Sequence, residues 1–319
     1  MAQVWLFPGQ GSQRVGMARD LMERFPEARA RLEAADRLLG FPLTAYMFGT
    51  HTDDAEAAAS ALAQTDITQP ALYVHSLAVV TVLEAAGRRP DAVAGHSLGE
   101  YSALAAAGAL SFEDGLRLVR LRGQLMAEAG RTRPGTMAAI LGLDDEAVEA
   151  LCREVVDEGG GFVQPANYNA PGQVVISGEV AAVERAAEKA KARGARRVVM
   201  LPVSGAFHSP LMEEASRKLA EAIAEVPLET PRCPVYLNVT AAPTTDPEEI
   251  RARLVEQMLA PVRFTQILHR MQADGFTSFL EVGPGNVLTG LVRRTLGRDV
   301  EVATAGTADE LESLLQQTS

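Results

Sequence analysis

The sequence predicts an α/β fold in which a parallel sheet is the main scaffold and a smaller subdomain is inserted into it. Short apolar runs alternate with longer helical patterns over most of the 319 residues, which is the order expected for a parallel sheet flanked by helices. The first run, Val4–Phe7, is apolar throughout, as in a strand that is buried on both faces. A stretch of about 70 residues in the middle follows a different order, βαββαβ.

The first half of the chain contributes two strands and three helices to the main scaffold. The first strand ends at Pro8–Gly9, and Pro70 and Gly87 mark the two ends of the first helix. Proline fits the first turn of a helix, and glycine fits the position just after its last turn. The predicted strands are Val4–Phe7 and Asp91–Gly95, and the predicted helices are Gln69–Ala86, Leu98–Ala107 and Phe112–Gly130.

The middle of the chain changes pattern and predicts a ferredoxin-like subdomain. Its order of elements is βαββαβ, which is typical of that fold. Two of its strands are joined by the turn sequence Asn169–Gly172. The predicted strands are Thr136–Leu141, Phe162–Tyr168, Gln173–Ser177 and Arg196–Leu201, and the predicted helices are Asp144–Asp157 and Glu179–Arg193.

The α/β pattern resumes after this segment, so we interpret the middle as an insertion. A large subdomain is predicted to comprise residues 1–132 and 202–319, and the inserted subdomain residues 133–201. The predicted helices of the last part are Ser209–Ala224, Glu248–Met258 and Thr265–Ala273, and the predicted strands are Val235–Asn238 and Ser278–Val282.

Composition excludes several classes of protein. The chain is 47% hydrophobic and 22% charged, which is typical of a folded globular protein. The 41 acidic residues outnumber the 30 basic ones and give a net charge of -11, which argues against nucleic-acid binding. Two cysteines, Cys152 and Cys233, are too few for a disulfide framework or a four-thiolate zinc site. Neither a signal peptide nor a membrane-spanning run is evident, and we expect a cytoplasmic protein.

The strongest chemical signal is a Gly-x-Ser-x-Gly motif at Gly95–Gly99. It lies between a predicted strand and a predicted helix, which is the setting in which this motif presents a nucleophile. The two glycines permit a tight turn, and the amides at the start of the following helix face any negative charge that forms beside Ser97. The alternative interpretation is that Ser97 is an ordinary helix cap.

A serine nucleophile needs a base, and the chain has five histidines. His208 lies between a strand and a helix, where catalytic residues are common, and it is the favoured candidate. His96 is adjacent to Ser97, and neighbouring side chains at such a turn diverge. No acid stands out at a strand end between Ser97 and His208, and 111 residues follow His208. The usual hydrolase order of serine, acid and histidine therefore fits poorly, and a backbone carbonyl is the expected partner of the base.

Two further segments have functional interpretations that are weak when taken alone. Phe7–Gln13 is rich in glycine but matches neither nucleotide-binding motif, since Arg14 replaces the third glycine and no Gly-Lys-Ser/Thr is present. It follows the first strand, and the carboxyl ends of parallel strands meet at one edge of a sheet, so Gln10 is expected near Ser97. Arg122 precedes Gly123 in an otherwise apolar helix, which would allow another group to approach closely.

Together these motifs resemble the malonyl-CoA:acyl carrier protein transacylase family and the acyltransferase domains of fatty-acid and polyketide synthases. The resemblance runs through nearly the whole chain in the family's order. It implies an α/β-hydrolase-like large subdomain with a ferredoxin-like insertion, in agreement with the pattern of elements. The matching segments are Phe7–Gln13, Gly95–Glu100, Arg122–Met126, Asn169–Val175, Gly205–His208 and Glu281–Gly285.

The resemblance implies the catalytic roles of five residues. Ser97 would attack the thioester carbonyl of malonyl-CoA, and His208 would take its proton. The backbone N–H groups of Gln10 and Leu98 would form the oxyanion hole. Arg122 would hold the malonyl carboxylate through two parallel hydrogen bonds, a geometry that guanidinium provides and lysine does not.

Three more residues receive supporting roles from the resemblance. The backbone carbonyl of Gln257 would orient His208. Met126 and Phe207 would line the acyl pocket. The bulk of Phe207 would crowd the extra methyl group of a methylmalonyl substrate.

The implied reaction carries malonyl from malonyl-CoA to the phosphopantetheine thiol of acyl carrier protein, through a malonyl-serine, for fatty-acid synthesis. No metal and no other cofactor is expected, and the expected partners are acyl carrier protein and CoA, with the enzyme a monomer. Two alternatives stay open. One is a trans-acting malonyl or methylmalonyl acyltransferase of a polyketide synthase, and the other is a serine thioesterase.

The net charge raises a question about these partners, because both are anionic. Attraction must then be local and sensitive to salt. Two groups of basic residues are candidate docking surfaces, although a solvated helix face is an equal alternative. One group is Lys189, Lys191, Arg193, Arg196 and Arg197, and the other is Arg117, Arg120, Arg131 and Arg133.

Overall fold

The computed structural model describes residues 2–203 and 205–316 of the chain. Its strands form two separate sheets. In chain order the strands are β1 (Gln3–Phe7), β2 (Ala92–Gly95), β3 (Thr136–Leu141), β4 (Val163–Ala170), β5 (Gln173–Gly178), β6 (Arg197–Met200), β7 (Val235–Tyr236), β8 (Pro243–Thr244), β9 (Ser278–Val282) and β10 (Glu301–Ala305).

Helices cover both faces of the larger sheet and one side of the smaller one. A single 3-10 turn, Pro210–Met212, leads into the tenth helix. In chain order the helices are α1 (Arg19–Arg24), α2 (Pro26–Leu39), α3 (Leu43–Phe48), α4 (Ala55–Leu62), α5 (Thr65–Ala85), α6 (Gly99–Ala106), α7 (Phe112–Thr132), α8 (Asp145–Asp157), α9 (Val180–Ala192), α10 (Glu213–Glu225), α11 (Pro247–Gln257), α12 (Phe264–Ala273), α13 (Val287–Leu296) and α14 (Ala308–Gln316).

The larger sheet has the strand order β10-β9-β1-β2-β7-β8, and only β8 runs antiparallel to its neighbour. β1 and β2 lie side by side with Phe7 opposite Gly95. The loops that leave these two strands therefore start at the same edge of the sheet. This confirms that the glycine-rich segment after Phe7 and the serine motif after Gly95 are neighbours.

The smaller sheet is antiparallel and has the order β4-β5-β3-β6, which is the ferredoxin-like arrangement and confirms the predicted fold class. Successive side chains of a strand point to opposite faces. Ile140 and Ile176 accordingly belong to the core beneath α8 and α9, whereas Met137 and Val175 belong to the main hydrophobic core. The subdomain is thereby packed onto the large one. Its strands lie between residues 136 and 200, and the division at residues 132/133 and 201/202 stays a prediction.

Helix α5 is the central helix of the core, and every residue from Ile67 to Val80 is buried. It begins one turn earlier than predicted, so Pro70 lies inside the helix. Proline has no N–H to donate to the carbonyl four residues back. That carbonyl, on Asp66, instead accepts from the Arg120 guanidinium of α7. The carbonyl that Pro70 leaves free in α5 therefore binds Arg120 and links α5 to α7, the helix that carries Arg122.

Several elements were not recognised in the sequence. The predicted elements omit α1 to α4, and they stop before α13, β10 and α14. Three of these are only five or six residues long, namely α1, α3 and β10. A segment of that length shows less than two turns of helical periodicity or barely one repeat of strand alternation, and its packing against the core decides its structure.

Both cysteines are free and buried. Burial raises the pKa of the Cys152 thiol to about 12 and that of Cys233 to about 11. In the part of the chain that the structure describes, no helix has the length and apolar character required to cross a membrane.

Candidate active site

Ser97 sits in a strained turn between β2 and α6. Its φ is 52°, in the left-handed region that residues other than glycine rarely adopt. A Cβ on Gly95 would overlap the backbone of Gly99, and a Cβ on Gly99 would overlap the carbonyl group of Phe7. The two motif glycines are therefore required by the close approach of the turn to itself and to β1. Strain of this kind is common at functional sites.

His208 is the histidine that reaches Ser97. The Ser97 Oγ lies 2.8 Å from His208 Nε2, and His208 Nδ1 lies 2.9 Å from the Gln257 carbonyl oxygen and 3.2 Å from that of Ala260. Because Nδ1 faces only carbonyl acceptors, we assign the proton to Nδ1. Nε2 is then free to accept from Ser97. In the described residues no carboxylate contacts the ring, so backbone carbonyls orient it.

His208 is also held at its own backbone. Its φ is 57°, and its carbonyl oxygen accepts a hydrogen bond from Gln164 Nε2 at 2.8 Å. Burial, together with the Arg122 cation, lowers the pKa of the imidazole to about 3. The ring is therefore neutral at physiological pH, which is the form that can accept a proton from a serine.

The other histidines contact groups away from the nucleophile. His96 Nε2 lies 2.7 Å from Asn169 Oδ1, and His75 is buried with Nε2 2.9 Å from the Gly306 carbonyl oxygen. His51 stacks on Tyr46, and His269 is exposed on α12. Only His208 is placed to act on Ser97.

Arg122 is buried and its guanidinium points at the nucleophile. Nη2 donates to Ser97 Oγ at 3.0 Å and to Gln257 Oε1 at 3.1 Å, and Nη1 donates to Gln69 Oε1 at 2.9 Å. Arg122 forms no ion pair with the described residues, and its Nε has no hydrogen-bond partner. Burial lowers the pKa of the guanidinium from its usual value. The hydrogen-bond partners of this buried cation are all neutral, although the Glu100 carboxyl group is close enough to act on its pKa, and its Nη groups can therefore take a carboxylate ligand.

Gly123 allows this placement of Arg122. A Cβ on Gly123 would lie 2.8 Å from both the Asp66 Cα and the Thr65 carbonyl oxygen. The group that approaches Gly123 closely is therefore the first turn of α5. The same contact brings Gln69 of α5 within reach of the guanidinium.

Gln10 and Leu98, whose backbone N–H groups are the predicted oxyanion hole, line the same cleft as Ser97. Neither N–H group donates to an acceptor on the described part of the chain. Leu98 immediately precedes α6, so its N–H belongs to the electropositive end of that helix. Two unused donors beside the nucleophile are suited to stabilising an oxyanion.

The cleft has a volume of about 110 Å³, and its lining residues include every predicted site residue except Gln257. Met126 and Phe207 lie on its apolar wall and are almost fully buried. Gln69 Nε2 donates to the Met126 thioether at 3.1 Å, so Met126 is fixed by the residue that also holds Arg122. Gln257 lies behind the cleft, in contact with Arg122.

Three residues near the nucleophile were missed at the sequence level: Gln69, Glu100 and Asn238. Asn238 Oδ1 accepts from the Ser97 N–H at 2.8 Å. Glu100 is fully buried and accepts from the Asn238 backbone N–H. Glu100 is a charged residue at the start of the otherwise apolar stretch after Gly99. Since a buried acid needs a partner, this position could have indicated a role for Glu100. Asn238 lies 141 residues from Ser97, and only the fold brings the two together.

The chain is similar to known proteins over nearly its whole length. Residues 4–312 match the family model described as acyl transferase domain. The chain is 44% identical over 312 residues to the malonyl CoA-acyl carrier protein transacylase of Bacillus subtilis, with 98% of this chain and 96% of the relative covered.

Two solved structures are similar over nearly their whole length. One is the acyl-carrier-protein S-malonyltransferase of Bartonella henselae, with 42% identity, a TM-score of 0.92 and 99% of each chain covered. The other is a malonyl-transacylase in complex with its type II PKS acyl-carrier protein, with 40% identity, a TM-score of 0.92 and 99% of this chain and 100% of that chain covered.

Proposed function

This chain belongs to the acyl transferase domain family, and we propose that it transfers the malonyl group from malonyl-CoA to the phosphopantetheine thiol of acyl carrier protein. The observation that carries the proposal is the convergence of two groups on one atom. Ser97 Oγ is 2.8 Å from His208 Nε2 and 3.0 Å from Arg122 Nη2. One group makes the oxygen nucleophilic, and the other supplies a cation for a carboxylate next to the reacting carbonyl.

The first half-reaction acylates the enzyme. His208 Nε2 takes the proton of Ser97 as Oγ attacks the thioester carbonyl of malonyl-CoA. The negative charge that forms on the carbonyl oxygen is stabilised by the N–H groups of Gln10 and Leu98. The carbon–sulfur bond then breaks, and the proton held by His208 passes to the CoA sulfur.

The second half-reaction runs through the same atoms in reverse. His208 takes a proton from the phosphopantetheine thiol, whose sulfur attacks the malonyl-serine ester. The ester bond breaks, and Ser97 Oγ recovers the proton. One thioester is exchanged for another, so the overall reaction is close to balanced. A nucleophile and a base suffice, and we propose that no metal or other cofactor takes part.

Arg122 defines the acyl group. Guanidinium binds a carboxylate through two parallel hydrogen bonds, and Arg122 already directs Nη1 and Nη2 toward acceptors in the cleft. A malonyl carboxylate would replace neutral partners with a charged one. A hydrogen bond to a charged group is worth about 1.5–3 kcal/mol, which favours malonyl over acetyl by about one to two orders of magnitude.

The proposed partners are acyl carrier protein and CoA, in the service of fatty-acid synthesis. The relative solved in complex with a carrier protein supports the first partner. We further propose that the enzyme is a monomer. Comparing the loading of a fatty-acid carrier protein with that of a polyketide carrier protein tests the pathway.

Intact mass analysis after incubation with malonyl-CoA tests the reaction. We expect one malonyl adduct on the wild-type protein, none on Ser97→Ala, and one on Ser60→Ala, whose serine is exposed on α4. An adduct that persists on Ser97→Ala would contradict the proposal. Free malonate released as fast as carrier protein is loaded would indicate a thioesterase instead.

A further inference from the structure

Both backbone groups of Ser97 are held by buried amide side chains. The Ser97 N–H donates to Asn238 Oδ1 at 2.8 Å, and the Ser97 carbonyl accepts from Gln257 Nε2 at 3.0 Å. Asn238 Nδ2 also donates to the Gly95 carbonyl at 2.6 Å. The strained peptide at Ser97 is thus clamped from both sides by Asn238 and Gln257, which are 0% and 1% exposed.

One carboxylate anchors both halves of this clamp. Glu100 is 0% exposed, and its two oxygens are used separately. Oε2 accepts from the Asn238 backbone N–H at 2.6 Å, and Oε1 accepts from Gln257 Nε2 at 3.1 Å. Glu100 lies on α6, three residues after Ser97, whereas its partners come from the segment after β7 and from α11. It therefore ties the nucleophile's own helix to the two segments that hold the turn.

We propose that Glu100 is the positioning residue of the nucleophile, and that its ionised carboxylate fixes Asn238 and Gln257 so that Ser97 keeps its strained conformation beside His208. Glu100 does not line the cleft and acts only through its neighbours. The inference rests on the proposed transfer reaction, for which Ser97 is the nucleophile. Gln257 also orients His208 through its carbonyl, so a shift of Gln257 would move both reacting groups.

The chemistry of the clamp requires an ionised acid at this position. Both atoms that face Glu100 in its hydrogen bonds are N–H donors, and only a carboxylate offers two acceptor oxygens with no hydrogen. A glutamine would place an NH₂ group against one of these donors. A protonated glutamic acid would place an O–H there. Either change leaves a buried donor without an acceptor, which is costly.

Ionisation of Glu100 makes the clamp dependent on pH. Burial raises the pKa of the carboxyl group to about 7, opposed by its two hydrogen bonds and by the Arg122 cation. The titratable groups that face it are Arg122 on α7 and Tyr101 on its own helix, while Asn238 and Gln257 are neutral. The pKa of His208 is lowered to about 3. A loss of activity below pH 7 would therefore report protonation of Glu100 and not of the base.

The test isolates the first half-reaction, because the incoming thiol of the second has its own titration. We would measure the second-order rate constant for acylation of Ser97 by malonyl-CoA, and separately by acetyl-CoA. The measurements would cover pH 5.5 to 8.5, a range of about 3 pH units that includes the pKa of Glu100. Wild-type, Glu100→Gln, Glu100→Asp and Glu281→Gln proteins are compared. Glu281 is a matched control, since it is 0% exposed and also accepts two N–H donors, from Leu288 and Thr289 at the start of α13.

The wild-type rate constant should fall below pH 7. Glu100→Gln should acylate on the order of 10- to 100-fold more slowly at pH 8, by the same factor with both substrates, and without the fall below pH 7, because misplacement of a reacting group has costs of this size. Glu100→Asp should be slowed but keep a pH dependence. Glu281→Gln should lose stability while keeping the wild-type rate and profile.

The outcomes separate this inference from the proposed function. A wild-type protein that malonyl-CoA does not acylate would overturn both. The inference alone would be overturned if the wild-type protein is acylated normally and the folded Glu100→Gln protein has the same acylation rate constant. An unchanged pH dependence of that rate constant in Glu100→Gln would overturn it as well. If Glu100→Gln does not fold, Glu100→Asp decides, and a rate equal to wild type across the pH range would overturn the role of Glu100.

Discussion

Arg122 donates a hydrogen bond from Nη2 to the Oγ of Ser97 at 3.0 Å, although 25 residues separate them in the chain. Arg122 lies midway along the buried face of α7, and its guanidinium is held by Gln69 and Gln257. In the proposed reaction, Nη2 would donate to the free serine before the substrate binds and to the malonyl carboxylate afterwards. The proposed specificity residue and the proposed nucleophile therefore meet at one point in the cleft.

Arg122→Ala should separate malonyl from uncharged acyl groups. Malonyl transfer should fall about 10- to 100-fold, because about 1.5–3 kcal/mol of charged hydrogen bonding is lost, while acetyl transfer should hold or rise. Initial rates with the two CoA esters measure this. Arg117→Ala is the control, since Arg117 lies on the same helix but is exposed and pairs with Asp114 of that helix. Equal losses for both substrates in Arg122→Ala would assign Arg122 a structural role.

Phe207→Ala should relax discrimination against a branched acyl group. Phe207 lines the cleft and is 7% exposed, so truncation opens space beside the acyl chain. One methyl group in an apolar pocket is worth about 1–3 kcal/mol, and the ratio of methylmalonyl to malonyl transfer should rise about tenfold or more. Competition between the two CoA esters gives the ratio directly. Met271→Ala is a control in the core around α12, away from the cleft, and an equal rise there would count against Phe207.

The structure divides the first group of basic residues proposed as a docking surface. Lys189 pairs with Glu154 and Glu158, and Arg193 pairs with Glu154. Lys191, Arg196 and Arg197 are exposed and form no ion pair within residues 2–203 and 205–316. The strand that begins at Arg197 leads to Leu201 and Val203 in the wall of the cleft. Lys191, Arg196 and Arg197 are thus the cations of this group that remain available to an anionic partner, and the two arginines lie next to the strand that leads to the cleft.

Charge reversal tests this surface. Arg196→Glu and Arg197→Glu should each raise the KM for carrier protein about two- to fivefold at low salt, as expected for an exposed charge pair, and leave acylation by malonyl-CoA unchanged. The effect should shrink as salt is added. Arg37→Glu, at an exposed position on α2, should have no effect on KM. If neither reversal changes the KM at low salt, this surface is not where the carrier protein binds.

His75 should make the fold sensitive to acid. It is fully buried, and burial lowers its pKa from 6.5 to about 4. A neutral histidine in the fold stabilises the protein above the unfolded pKa, and this contribution is lost as the pH falls towards the folded pKa. From pH 7 to pH 5 the free energy of unfolding should drop by about 2 kcal/mol through this residue.

Urea unfolding at both pH values measures the drop for His75. His75→Gln should be less stable at pH 7 but should lose about 2 kcal/mol less on acidification than wild type. His269→Gln, at an exposed site on α12, should lose as much as wild type. An identical pH dependence in His75→Gln and wild type would show that another group causes the acid sensitivity.

The sequence by itself determined the strands of both sheets that carry the site and the chemical identity of its main residues. Gly95, Ser97 and Gly99 belong to one local turn in which Gly95 lies against Gly99, so the motif could be interpreted without the fold, although Gly99 is also required by its contact with Phe7 of β1. The βαββαβ order likewise depends on local periodicity. The short elements α1, α3 and β10 have no comparable local signal.

Only the tertiary structure decided which groups surround the nucleophile. Asn238 and Gln257 reach Ser97 across 141 and 160 residues, and Glu100 binds both of them although its position in the chain indicates no partner. Hydrogen bonds between distant segments leave no periodic pattern, because each depends on one side chain and on the packing of whole helices. The sequence therefore determined the proposed nucleophile and base, whereas the fold decided what holds them in place.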